Sequence, residues 1–303
     1  MILMVSQRTD IPAFYPKWFI NRLKKGYVLV KNPFNDKQVS HISLSKDVID
    51  CICFLTKNPI PLIPYLDELK DIPYFFHITV TGYGNDIEKR VLDKRKIINS
   101  IIELSKKIGK NRIFLRYDPI LITDKYSLKY HEKALEKLIV LTKDYVKEYI
   151  ISFVDVYDKL KTRFLKYHIS SVKKEEIIAI AEIIQKLADK YSVKFKSCVE
   201  EDLSDYGIYE ARCIDKDYIE DLIGFKIMAK KNKNRQCDCL EVVDIGTYNT
   251  CLHECLYCYA NNENIFKNVL KYDVDNDILC ASLDDVKITK RNVKSLKCKP
   301  SLF

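Results

Sequence analysis

Residues 89–120 read KRVLDKRKIINSIIELSKKIGKNRIFLRYDPI, and they set the period on which the rest of the chain is read. Apolar residues recur at helical spacing from about Lys89 to Ile108, and Gly109 supplies the stop. Arg112 to Tyr117 then reads as a strand running into Asp118-Pro119. A long amphipathic segment followed by a short apolar, β-branched one is the signature of βα units and a parallel sheet.

The alternation extends in both directions. Upstream, Ile2 to Ser6, Asp50 to Thr56 and Tyr74 to Thr81 read as strands, with a helix from about Ala13 to Lys25. Tyr27 to Lys31 and Val39 to Leu44 form a hairpin across the turn NPFND. Downstream, helices are expected from Leu128 to Tyr145 and from Lys173 to Tyr191. Strands are expected from Tyr149 to Val154, Val193 to Cys198 and Leu240 to Gly246. Seven strand starts follow, near residues 1, 50, 74, 112, 149, 193 and 240, with the 27–44 hairpin as a candidate eighth. This count predicts an α/β fold of the TIM-like (β/α) barrel kind, complete or partly open, a fold that takes ~250 residues. No internal repeat or glycine-serine linker divides the 303 residues. The expected organisation is a single β/α-barrel domain over residues 1–270, including a cysteine loop at 236–262, and a basic C-terminal tail over 271–303.

The N-terminus, MILMVSQRTD, has too short an apolar run for a signal peptide, and no stretch approaches ~18 apolar residues. A cytoplasmic protein without a membrane partner is expected. Eleven cysteines, an odd number without an export signal, argue for a reducing compartment and for metal ligation over disulfides. The net charge of +9 admits nucleic acid as a partner, although a lysine-rich composition with only 7 glycines accounts for it equally. Lys287, Lys290, Arg291, Lys294, Lys297 and Lys299 meet no acid, which suits a solvated tail or a polyanion contact.

Five of the cysteines fall in residues 236–262, QCDCLEVVDIGTYNTCLHECLYCYANN. Cys251, Cys255 and Cys258 stand in the pattern C-x3-C-x2-C, with Tyr257 before the last. Three thiolates on one short loop can face a common centre, and a four-iron, four-sulfur (4Fe-4S) cluster held by three keeps one iron open to an exogenous ligand. Cys237 and Cys239 are candidates for additional ligands. The same five sulfurs also suit a structural zinc in a non-enzymatic nucleic-acid-binding or regulatory protein. Buried core thiols, or a cluster that senses redox state without turnover, complete the alternatives.

In α/β barrels the active site collects at the C-terminal ends of the strands. Those ends carry Arg8 and Asp10, Lys57 and Asn58, Thr79 and Thr81, Arg116 and Asp118, Ser152 and Asp155, and Cys198 and Glu200. Charged groups directly after apolar strands must pair or face solvent. A polar substrate pocket of Lys57, Asn58, Arg116, Asp118, Asp155, Cys198 and Glu200 explains the set; rim salt bridges such as Arg116 with Asp118 explain single members.

The loop C-x3-C-x-aromatic-C, extended as CLYCYAN, resembles that of the radical S-adenosylmethionine enzymes. More broadly, VSQRTDIPAFY, FLTKNP, RYDPI, SFVD and DIGTYNTCLHECLYCYAN resemble the bacterial family named domain of unknown function 1848, noted for a C-terminal cysteine cluster similar to the N-terminal one of those enzymes. The resemblance implies that Cys251, Cys255 and Cys258 bind the cluster, that Tyr257 lies near the adenine of S-adenosylmethionine, and that a reductant such as flavodoxin or ferredoxin supplies electrons. It implies no settled substrate; a nucleic-acid lesion or modified base is one candidate. The Gly-Gly-Glu-like segment that holds the methionine amino group in that superfamily has no counterpart here. By position, Asp10 would take the amino group and Arg8 the carboxylate. Gln7 stands where a second arginine is expected.

Overall fold

A computed structural model describes residues 1–198, 200–232, 237–261 and 265–298. Gln236 and Asn262, at the ends of the expected cysteine loop, and Lys299 lie outside the described residues. The chain opens with β1 (Ile2–Val5), α1 (Ile11–Phe14), α2 (Pro16–Lys25), β2 (Tyr27–Asn32), β3 (Asn35–Ser43), β4 (Cys51–Thr56) and β5 (Tyr74–Thr79). It continues through α3 (Lys94–Ile108), β6 (Ile113–Ile120), α4 (Leu128–Thr142), β7 (Glu148–Phe153), α5 (Lys161–Lys166), α6 (Lys174–Tyr191), β8 (Phe195–Ser197) and β9 (Tyr209–Glu210). It ends with α7 (Lys216–Ile223), β10 (Val243–Asp244), α8 (Ile265–Val269) and β11 (Lys287–Lys290).

The fold is α/β and mostly parallel. Eight strands form one sheet in the order β10-β1-β4-β5-β6-β7-β8-β9. The seven expected strands all belong to it. The eighth is not the 27–44 hairpin, which forms a separate three-stranded sheet in the order β11-β3-β2. It is β9, two exposed residues paired in parallel with β8, too short to leave a periodic trace in the sequence. Among the described residues no helix is long and apolar enough to cross a membrane.

Two compact units divide the chain, the boundary falling within β5. The first holds residues 1–75, 213–252 and 260–303. Its core is built on the buried β1 and β4 with Trp18 and Phe19 of α2, Phe19 meeting Phe54 edge-on at 5.7 Å. The expected single helix at 13–25 is split in two, because Pro16 disfavours a helical conformation at Tyr15. The segment after residue 270 is built into this unit. Trp18 Nε1 donates to Asn276 O at 2.8 Å, and Leu29 N–H to Asp277 O at 2.9 Å. β11 pairs in parallel with β3, and Ser295 and Leu296 both donate to Asp50.

The second unit holds residues 76–212 and 253–259. α3 starts at Lys94 under an Asp93 cap, five residues later than the periodicity suggests. Its buried Ile97, Ile101 and Leu104 recur at one helical face, and burial of such side chains stabilises by about 1.5–3 kcal/mol each. The residues before it are drawn into other pairing: Arg90 N–H donates to His253 O, Leu256 N–H to Ile87 O, and Glu88 bridges Cys255 in antiparallel sense. Tertiary pairing here overrides helix propensity.

Candidate functional site

The end of β1 and the entry to the cysteine loop are stitched together inside the first unit. β10 lies parallel to β1 with Met4 opposite Asp244. One Asp244 oxygen accepts from Ser6 Oγ at 3.1 Å and Gly246 N–H at 2.8 Å, the other from Gln7 N–H at 2.7 Å. Gly246 is required by close approach, since a Cβ there would stand 1.8 Å from Ser6 Oγ. Arg8 spans the junction: its Nη1 reaches Gly246 O at 3.5 Å, its Nε lies 3.9 Å from Asp244, and its guanidinium sits over the Tyr248 ring.

Asp10 and Lys57 meet, as strand-end neighbours should, but through the backbone. Asp10 Oδ1 caps α1 by accepting Ala13 N–H at 3.0 Å, and Oδ2 accepts Lys57 N–H at 2.7 Å. Asn58 Oδ1 turns onto Ile60 N–H at 3.2 Å. Between Arg8 and Asp10, Thr9 Oγ1 is buried and meets no hydrogen-bond partner among the described residues. A buried hydroxyl without a partner is unfavourable to desolvate, and it can donate to or accept from a polar ligand atom.

The cysteine loop leaves the first unit after Leu252 and returns at Ala260. At its base, Asn249 N–H donates to Ala260 O at 2.9 Å and Asn261 Nδ2 to Cys251 O at 2.6 Å. Tyr15 OH fixes the approach by donating to Thr250 O at 2.5 Å. At the tip, Cys258 N–H donates to Cys255 O at 3.1 Å, so these two cysteines share one tight turn. All eleven cysteines of the chain are thiols, none in a disulfide. Among the described residues no three His, Cys, Asp or Glu side chains are arranged to hold a metal ion. The donor set itself, three thiolates with His253 and Glu254 between the first two, suits a soft metal or an iron-sulfur cluster through its sulfurs.

Tyr257 leads to a residue that sequence reading missed. Its ring is partly exposed, whereas its hydroxyl end is buried and donates to Glu88. Burial, then the neighbouring Cys255 and Glu88, push the phenol far above its ordinary pKa. Glu88 is 1% exposed, and it also takes Thr81 Oγ1 at 2.8 Å and an ion pair with Lys94. The signal available in sequence was a single acid before a helix, which is too common to single out.

At the strand ends of the second unit, Arg116 and Asp118 form the rim salt bridge that sequence offers as the alternative to a pocket. Arg116 Nε and Nη2 both reach Asp118 Oδ2, at 2.7 and 2.5 Å, and Ser152 Oγ donates to Asp118 Oδ1. Glu200 accepts Phe153 N–H at 2.7 Å. Burial, with Asp155, Asp118 and Cys198 adding negative charge against that hydrogen bond, pushes Glu200 up to about 7. A carboxyl poised there can hold or release a proton at neutral pH. Cys237 and Cys239, by contrast, are buried in the first unit and lie with Cys213, one of the cysteines that sequence alone leaves scattered.

The model of one protein family, described as domain of unknown function (DUF1848), matches residues 2–260. A search among curated proteins finds no match. Among solved structures, a protein of Bacteroides thetaiotaomicron VPI-5482 named for alpha-L-fucosidase activity is 14% identical; 72% of this chain and 80% of that one are covered, with a TM-score of 0.25. A likeness that distant carries no functional argument.

Proposed function

The chain belongs to the domain of unknown function 1848 family, and on that premise we propose that it is an iron-sulfur enzyme of the radical S-adenosylmethionine type. The observation that carries the reading is the C-x3-C-x2-C spacing of Cys251, Cys255 and Cys258 on one loop, two of them on a single turn. These thiolates would hold the cluster, which when bound supplies the electron that reductively cleaves S-adenosylmethionine. Position of β10 beside β1 supports a (β/α) barrel, complete or partly open, whose last strand delivers the loop next to the first.

Arg8 is the group to take the methionine carboxylate, held in place by Asp244 and Tyr248. Thr9 Oγ1 adds a buried hydroxyl that meets no hydrogen-bond partner among the described residues. Asp10 is first a helix cap, and its negative charge is what it can offer the amino group. Tyr257, tethered by Glu88, orients the loop tip, and Lys57 with Asn58 extends the polar strand ends. Arg116, Asp118, Asp155, Cys198 and Glu200 form the substrate-facing set of the second unit, Glu200 moving protons.

Anaerobic reconstitution with iron and sulfide, followed by dithionite and S-adenosylmethionine, tests the reading. The expected result is a brown protein with about four irons per chain that releases 5′-deoxyadenosine. A colourless protein that retains zinc instead would overturn it.

A further inference from the structure

Cys213, Cys237 and Cys239 come from two separate stretches of sequence and meet inside the first unit. Leu240 N–H donates to Ile214 O at 3.0 Å, which lays residues 239–240 beside 213–214. The other side of the same segment is held by Asn232 N–H to Cys239 O and Glu241 N–H to Lys230 O, both 2.8 Å. Cys239 is 3% exposed and Cys237 7%, while Cys213 is half-buried and open to small solutes. This pairing sets Cys213 beside Cys239, and Cys237 stands two residues before it, near enough for the three thiols to influence one another.

Cys239 thus neighbours both Cys213, across the backbone pairing, and Cys237, two residues along the chain, and among the described residues no trio is placed to hold a metal ion. Cys298 does not complete a tetrahedron. It pairs with the same 226–232 segment, but at Lys226, six residues along from the Asn232 contact of Cys239, roughly 20 Å if extended. In this segment Met228 is exposed while Ile227 is buried, so backbone pairing and one anchored side chain hold it.

We propose that Cys213 and Cys239 form a reversible disulfide on exposure to a hydroperoxide, with Cys237 as the exchanging third thiol, a redox site separate from the loop cysteines. The Cys213 thiolate attacks one peroxide oxygen and hydroxide departs, leaving a sulfenic acid. Cys239 attacks that sulfur and expels the second oxygen as hydroxide. The two thiol protons convert both hydroxides to water, so two thiols and one hydrogen peroxide give one disulfide and two waters. Attack of the Cys237 thiolate on the Cys239 sulfur then releases Cys213 by exchange.

The test is peptide mapping of the full chain, purified without oxygen, treated with hydrogen peroxide and then alkylated. The expected product is a cross-linked pair of peptides bearing Cys213 and Cys239, lighter by two hydrogens than the reduced pair and lost on reduction. Cys239→Ser abolishes it, whereas Cys51→Ser, in buried β4, leaves it. The wild-type map needs no substitution and stands even if a variant fails to fold. Full alkylation of all three cysteines after peroxide would overturn the proposal. So would zinc or iron bound by the wild type and lost in Cys213→Ser while the three loop cysteines remain intact.

Discussion

The Tyr257 hydroxyl donates to the Glu88 carboxylate, which ties the aromatic residue between two loop cysteines to an ion pair with Lys94. Lys94 is partly exposed, so removing Glu88 chiefly leaves the Tyr257 and Thr81 hydroxyls without their acceptor, at a cost of about 1–3 kcal/mol. Glu88→Ala is therefore expected to lower the urea midpoint by that equivalent and to reduce iron retained after reconstitution. Glu88→Gln, which still accepts from Tyr257, should keep most of the iron. Equal iron in wild type and Glu88→Ala would show that the tether does not order the loop.

Gly246 occupies a space that Ser6 leaves no room to share. Gly246→Ala must push β10 and β1 apart at the junction that seats Arg8, an overpacking cost of about 1–3 kcal/mol. Ser6→Ala in the same chain removes the 1.8 Å contact but leaves Ser6 Cβ at 2.8 Å, so only partial recovery of thermal stability is expected. Full recovery, or no loss in the single variant, would contradict the packing argument.

Glu200 gives the second unit a pH signature. Its folded pKa, raised from 4.5 to about 7, means the folded chain binds more protons than the unfolded chain between those values. Stability contributed by Glu200 is thus highest below pH 4.5, falls as pH rises, and levels off above 7. Glu200→Gln should remove this component: its stability relative to wild type increases from pH 5 to pH 8 in urea titrations. An unchanged difference at the two pH values would place Glu200 in an ordinary solvated setting.

The sheet was legible because its buried strands are short apolar runs between amphipathic helices, and all seven fall where the pattern puts them. β9 and the early residues of the 89–108 helical pattern were not, since Tyr209–Glu210 and Arg90 take their structure from a neighbouring segment and not from their own periodicity. The Arg116, Asp118 and Glu200 group was readable from strand ends, because parallel neighbours align those ends. Glu88, Asp244 and Cys213 were not, because their importance lies in partners distant in sequence.

Asp10 separates capping from ligand binding. Its two oxygens accept from Ala13 and Lys57 amides, so Asp10→Ala forfeits a cap of about 0.5–2 kcal/mol and leaves the Lys57 amide without that carboxylate. Lower thermal stability is expected whichever role dominates, and it decides nothing by itself. Arg8→Ala provides the contrast, because Arg8 is 21% exposed and its Asp244 contact is long, at 3.9 Å. It should weaken S-adenosylmethionine binding while sparing both iron content and melting temperature. Binding measured by equilibrium dialysis on the folded, iron-loaded fraction then assigns Asp10. Loss in both variants makes Asp10 a ligand as well as a cap, and loss in Arg8→Ala alone leaves it a cap. Retention of binding in both removes the β1 end from the cofactor seat.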